Sequence, residues 1–115
     1  MIVVTARLVF TDREARDAAV GASAPIQAAT RAEEPGCLTY CFAPDPVVPT
    51  EIQVVELWTD AGALEKHFQH PNYGAMVGAL QQVGGLRQSL NRMYVADDRG
   101  AVYGADGRPR FAALA

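Results

Sequence analysis

Residues 2–10, IVVTARLVF, alternate in character. Ile2, Val4, Ala6, Leu8 and Phe10 fall on one face, and Val3, Thr5, Arg7 and Val9 on the other. A period of two with one apolar and one mixed face predicts a β-strand. The period then changes. Thr11-Asp-Arg-Glu14 fits a capping box, in which the Thr hydroxyl and the Glu carboxylate satisfy free amides at a helix start. Ala15, Ala18, Ala19, Ala22, Ile26 and Ala29 follow as a helical stripe. Pro25 has no amide to donate, so the pattern predicts a kink near Gly21–Pro25 or a restart capped by Ser23. The stripe is nearly all alanine, which lets a helix approach a sheet closely or leaves room for a ligand.

Pro35-Gly36 ends that helix, and Cys37–Phe42 reads as a second strand of aromatic and β-branched residues. The three prolines of APDPVVPT mark a loop. Glu51–Thr59 is a third strand, and Asp60 is placed to cap a helix over Ala61–Gln69. His70-Pro71 restarts the helix, with Pro at the first turn where a missing amide costs nothing. Tyr73, Met76, Val77, Leu80 and Val83 keep helical spacing up to Gly84-Gly85, and Leu86–Ala96 is the fourth strand. The order β-α-β, loop, β-α-β is that of the α+β, ferredoxin-like split βαβ fold. The halves, 2–43 and 51–96, share this layout without a convincing sequence repeat. Residues 1–96 are expected to form the domain. Residues 97–115, rich in Gly and turn formers but ending in Phe111-Ala-Ala-Leu114, read as a flexible tail or an arm onto a partner subunit.

Two helical segments cover only one face of such a sheet, while Val3, Val9 and apolar residues of later strands lie on the other. A half-apolar exposed sheet face tends to be buried, and a second copy of the same sheet is the economical cover, so a symmetric homodimer is expected.

Composition narrows the function classes. A chain of 115 residues, half of them apolar and 20% charged, is long enough for one core without disulfide or metal staples. Its net charge of −3 gives no nucleic-acid footprint, and no run approaches the length of a membrane span. The start lacks a signal peptide's features, so the cytoplasm is the expected compartment. Cys37 and Cys41, on one face of a regular strand, would stand about 13 Å apart, beyond disulfide reach, and read as reduced structural thiols.

The chemistry-bearing residues concentrate in Glu51–Tyr73, which holds the only Trp and both His. Glu56 alternates in phase with Ile52, Val54 and Trp58. If that face is the helix-covered one, Glu56 is a carboxylate on an apolar wall, with a raised pKa or a partner: it orients His67, accepts a proton itself, or is ion-paired with an Arg such as Arg7 or Arg92. Trp58, Phe68 and Tyr73 either line a flat aromatic pocket or simply pack the core. His67 and His70 lie three apart on a helix, but a third metal ligand is missing, so no metal is expected. His70 reads as a helix-boundary residue. There is no phosphate loop or dinucleotide fingerprint, and hence no support for a flavin or nicotinamide.

Glu34-Pro-Gly-Cys-Leu-Thr-Tyr40, Glu56-Leu-Trp58-Thr-Asp60, Ala63-Leu-Glu-Lys-His67 and Pro71 resemble the antibiotic biosynthesis monooxygenase (ABM) domain across roughly residues 2–96. The resemblance implies a dimeric α/β barrel of two ferredoxin-like subunits, and a family that includes cofactor-independent oxygenases, haem-degrading enzymes and an isomerase. Ala6, His67 and Val77 stand where haem-degrading relatives carry Asn, Trp and His, which argues against haem. Val54 stands where antibiotic-hydroxylating relatives carry Asn. The pattern is most similar to the small quinol-monooxygenase-like members. By that resemblance His67 is the base, Trp58, Glu56, Phe68 and Tyr73 bind substrate, and no cofactor is used; the partners are a small aromatic or quinol substrate and O2. A neutral His at pKa ~6.5 faces a phenol at ~10, a gap of roughly 5 kcal/mol that donors such as the Trp58 indole would have to close. An isomerase using the same His, or a non-catalytic small-molecule-binding dimer, are the alternatives.

Overall fold

The computed structural model describes residues 1–115. Strands β1 (Ile2–Phe10), β2 (Cys37–Pro44), β3 (Glu51–Trp58) and β4 (Leu86–Val95) form one sheet in the order β2-β3-β1-β4, with every neighbouring pair antiparallel. Helix α1 (Arg13–Glu33) links β1 to β2, and α2 (Ala61–Gln69) with α3 (Pro71–Gln82) links β3 to β4. This is the ferredoxin-like α+β arrangement expected from the element order. Ala6, Leu8 and Phe10 of β1 and Ile52, Val54 and Trp58 of β3 face the helices and form the core with Leu64, Met76 and Leu80.

The two strand-to-helix turns are built alike. Asp12 and Asp60 are the N-caps, each accepting a 2.8 Å bond from the amide three residues on, Ala15 and Ala63. Asp12 therefore does the work assigned to the Thr11–Glu14 box. The Thr11 amide donates to the Gly85 carbonyl at 2.8 Å, and the Thr59 amide to the Gly36 carbonyl at 2.9 Å. Both glycines have positive φ, and a Cβ on either would sit 2.6 Å from the threonine Oγ1 of its turn. Thr-Asp-x-x-Ala docked against a left-handed glycine thus recurs in both halves. A sequence comparison of whole halves misses it, because the matched residues are few and far apart.

Helix α1 departs from its expected pattern twice. It runs unbroken through Pro25, because Pro25 and Gly21 both lie on the exposed face and the carbonyl freed by the proline meets water. Its buried stripe is Arg16, Ala19, Ser23, Gln27 and Thr30, whereas Ala18 and Ala22 are exposed. Gln27 of this stripe and the neighbouring, exposed Arg31 bond the free edge of β2. Gln27 donates to the Phe42 carbonyl at 3.2 Å and accepts from the Phe42 amide at 2.9 Å. Arg31 reaches the Tyr40 carbonyl at 2.7 Å. Side chains of α1 thereby satisfy three backbone groups along that edge.

A register shift between Cys37 and Thr39 sets Cys37 opposite Trp58 and Cys41 opposite Val55. The cysteines thus point to opposite faces, not to one, because the bulge adds a residue between them. Both are free thiols. On the outer face Val55, Leu90 and Tyr94 are exposed.

Residues 97–115 fold back on themselves beyond β4. Arg110 bonds the carbonyls of Arg99 and Ala101, Arg99 bonds those of Ala113 and Ala115, and Tyr103 pairs with Pro109. Phe111 and Leu114 are 75% and 77% exposed. This segment extends the molecule to a radius of gyration of 16.0 Å, against roughly 13 Å for a compact chain of this length.

Candidate active site

A cavity of about 420 Å³ lies between the sheet and α2–α3, a size suited to a small organic ligand. Its floor is the helix-facing side of β1, β2 and β3; α2 and α3 form one wall, and the inward residues of β4, Ser89, Asn91 and Met93, form the open rim. Ala6, Val54 and Val77 all line it.

His67 is 2% exposed and still borders the cavity. Its Nδ1 lies 2.8 Å from Glu34 Oε1, and the other carboxylate oxygen accepts from Asn72 Nδ2 at 3.1 Å. A carboxylate accepting on both oxygens only accepts, so Nδ1 carries a proton, and in the neutral imidazole Nε2 keeps its lone pair. Thr30 Oγ1 is the single buried side-chain polar atom without a partner. Nε2 of His67, which no protein group bonds, therefore opens onto the cavity. The imidazole is wedged between rings: Trp58 at 4.6 Å, Tyr40 at 5.3 Å and Tyr73 at 5.7 Å, centroid to centroid. These contacts fix its plane.

Glu34 comes from an unexpected place. It is the C-cap of α1, and a carboxylate there opposes the helix dipole. That mismatch in Glu33-Glu34 is the one trace in the sequence of a carboxylate held by tertiary partners. Asn72, in the first turn of α3, left no such trace.

Glu56 does lie on the helix-covered face. Neither Arg7 nor Arg92 pairs with it, since both register on the outer face, where Arg7 approaches Glu51 at 3.9 Å. Its partner is the Trp58 indole, which donates to Glu56 Oε1 at 3.1 Å. Trp58 is fully buried beneath the cavity and does not line it, so the indole is spent on Glu56 and is not available to a ligand. Burial pushes the Glu56 carboxyl above its ordinary range; the Trp58 bond and His67 pull it down less strongly, and Glu34 adds to the rise. Tyr40 stands directly across the β2–β3 ladder from Glu56. Burial, then the Glu56 and Glu34 charges, push its phenol upward, so it is a donor and not a base. Phe68 and Tyr73, half-exposed and 5.3 Å apart edge to face, line the cavity and mark its mouth.

Both histidines flank Glu34, His67 Nδ1 at 2.8 Å from Oε1 and His70 Nδ1 at 3.9 Å from Oε2, but they share no open point for a ligand. His70 caps α3, its Nδ1 accepting the Asn72 amide at 3.0 Å. No group of three or more His, Cys, Asp or Glu side chains is disposed to hold a metal ion.

A ferredoxin-like sheet with a His-bearing cavity under its helices defines a class, and the comparisons narrow it. Residues 1–79 match the family model of the antibiotic biosynthesis monooxygenases, and the chain belongs to that family. Among solved structures it resembles a Deinococcus radiodurans protein assigned as an antibiotic biosynthesis monooxygenase (TM-score 0.77, 24% identity, 90% of this chain and 100% of that one). It also resembles a counterpart from Caulobacter crescentus CB15 (0.73, 18%, 84% and 91%). SnoaB, a cofactor-independent oxygenase of Streptomyces nogalater, superposes at 0.62 with 15% identity over 84% of this chain and 93% of that one. No curated protein sequence matches this chain. No helix is long and apolar enough to cross a membrane.

Proposed function

We propose that this protein is a cofactor-independent monooxygenase that oxidises a small phenol or quinol with O2, with His67 as the base. The observation that carries the reading is the His67 imidazole, held through Nδ1 by buried Glu34 and presenting Nε2 to an apolar cavity. Nε2 takes the phenolic proton, and Glu34 stabilises the resulting imidazolium. The phenolate passes one electron to O2, and the radical pair closes a C–O bond at a ring carbon that still bears hydrogen. The imidazolium returns its proton to the peroxide, which expels water as that carbon loses its hydrogen and becomes a carbonyl. One oxygen atom enters the quinone product and the other leaves as water, with all electrons drawn from the substrate. Phe68 and Tyr73 hold the ring, and the largely apolar lining suits a flat aromatic substrate.

The test is oxygen uptake by the purified protein over a panel of phenols, quinols and anthrones. Uptake with at least one, falling about 10²- to 10⁴-fold in His67→Ala, is expected. Uptake equal in the variant removes His67 as the base. Solvent-proton exchange into a ligand without oxygen use assigns the same residues to an isomerase, and a ligand-induced melting shift without turnover assigns them to a binder.

The outer sheet face, with Val55, Leu90 and Tyr94 uncovered, supports a homodimer in which two sheets pack into a barrel. The same dimer offers cover for Phe111 and Leu114 of the arm. Light scattering is expected to give a dimer at micromolar concentration that loosens when residues 97–115 are removed. A monomer would overturn the assembly.

A further inference from the structure

We infer that Tyr40 and Glu56 form an oxyanion-binding pair, donating two hydrogen bonds to the substrate oxygen that His67 deprotonates. The inference rests on the proposed role of His67 as a base but not on the use of oxygen. Its ground is placement. Tyr40 and Glu56 are direct cross-strand neighbours on the cavity floor. No protein group hydrogen-bonds the Tyr40 hydroxyl, although Tyr40 is only 1% exposed. Glu56 spends one oxygen on Trp58 Nε1 and has no protein partner for the other. Since Thr30 Oγ1 alone is walled in without a partner, both free groups open onto the cavity. His67 faces the same space, its ring 5.3 Å from that of Tyr40.

These two oxygens remain free on the mainly apolar floor, while the other polar lining residues apart from His67 (Ser89, Asn91 and Arg92) come from β4 at the rim. Leaving buried polar groups unpaired is unfavourable, and such groups are tolerated where a ligand completes them. What would complete them is an acceptor. The buried phenol is a donor, and the raised Glu56 carboxyl is one while it holds its proton. A phenol beside a protonated carboxylic acid in an apolar site is an effective oxyanion trap in other enzymes. The pair also fills the need that histidine alone leaves open, a means to bring a phenol's proton within reach of an imidazole. The indole cannot do this, because Glu56 already holds it. The step is a proton transfer only: the substrate O–H bond breaks, His67 Nε2–H forms, and the oxyanion is held by Tyr40 Oη–H and the Glu56 carboxylic O–H.

The pair makes anion binding depend on the Glu56 proton. The groups facing it are Tyr40 from β2, the Trp58 indole from its own strand, His67 from α2 and Glu34 from the end of α1; Val4, across on β1, is uncharged. The donor form is present at acid pH and is lost as pH rises through the raised Glu56 value.

The experiment is an anaerobic titration with 4-nitrophenol and its chlorinated analogues, whose phenolates absorb in the visible. The probe bound to the wild-type protein is expected as phenolate at a pH below its own pKa. Tyr40→Phe, which removes only the hydroxyl, is expected to lower the phenolate-to-phenol ratio of the bound probe roughly 10- to 100-fold. Glu56→Leu is expected to do the same. Glu56→Gln keeps a donor and accepts the indole bond, so it should retain most of the preference while losing the pH dependence. Near-ultraviolet circular dichroism confirms that each variant is folded. A bound probe that stays phenol in the wild type, or phenolate bound equally well by Tyr40→Phe, overturns the pair. Loss of the preference in Glu56→Gln overturns the carboxylic acid and makes Glu56 a base. Phenolate binding without oxygen uptake leaves the pair standing and ends the monooxygenase reading; uptake with the variants unaffected does the reverse.

Discussion

The molecule buries two clusters of polar side chains, and they follow opposite rules. Along α1, Gln27 spends its amide on Ser23 and on both backbone groups of Phe42. Arg16 spends Nε on Asp17 and Nη1 on the carbonyls of Asp45 and Glu51. Around the cavity, His67, Tyr40 and Glu56 each keep one polar atom that no protein group bonds. Burial is similar: Gln27 is 7% exposed and Glu56 8%. What separates scaffold from site is satisfaction. A saturated cluster lowers the energy of one fold, while an open one holds interactions in reserve for a ligand.

The sharpest way to break that contrast is in the saturated cluster. Gln27→Leu leaves the amide and carbonyl of Phe42 unpaired in a buried setting, which is expected to destabilise the fold by about 2–4 kcal/mol. Phenol binding per folded molecule should hardly change. Urea denaturation and the nitrophenol titration measure the two separately, and the reverse result, stability kept and binding lost, would place Gln27 in the site.

Glu34 sits between the two regimes, saturated itself but acting on an open group. Glu34→Gln still accepts from His67 Nδ1 but no longer balances the imidazolium. A fall in kcat/KM of roughly 10- to 100-fold is expected, carried by kcat, with a stability loss of only about 1 kcal/mol. A merely structural role would instead lower the melting temperature and leave the pH–rate profile of the surviving protein unmoved.

Glu56 is the cavity group whose protonation couples to folding. Folding raises its carboxyl above the ordinary range, chiefly through burial. Stability contributed by the protonated group is therefore complete below the unfolded carboxyl's range and is lost as pH rises through the folded value. Glu56→Gln carries no such dependence. The variant is expected to melt above the wild type at neutral pH, the advantage shrinking as pH falls. A difference that grows toward acid pH would mean that the native site holds Glu56 ionised.

The alternation of β1 and β3, the Asp60 cap and the His70-Pro71 restart all resolve in the sequence, because each is a local signal of period or turn chemistry. The aromatic mouth and the His67 position were legible as well, since a strand ending at Trp58 and a helix starting at Asp60 fix which side chains converge. The roles of Tyr40 and Glu34 were not, although both stand in the first motif of the resemblance. Tyr40 reads as one more strand aromatic, and its meaning comes from the β2–β3 register, in which the bulge after Cys37 sets it opposite Glu56. Glu34 reads as a helix end, and only tertiary packing, chiefly of α1 against α3, brings His67 and Asn72 to it. The polar face of α1 was hidden for a related reason. Its alanines suggested an apolar stripe, whereas the edge of β2 needed hydrogen-bonding partners that alanine does not have.

Thr30 gives the contrast its smallest and cleanest test. It belongs to the α1 cluster by position, yet its Oγ1 is fully buried with no partner, so it breaks the rule of saturation without facing the cavity. An open polar group that no ligand can reach is a defect in the scaffold. Thr30→Val keeps the shape and the branched β-carbon while removing the hydroxyl, so it should stabilise the protein by up to about 1 kcal/mol and leave phenol binding untouched. If the variant is instead destabilised, the hydroxyl has a partner in solution, such as a buried water, and the α1 cluster is saturated throughout.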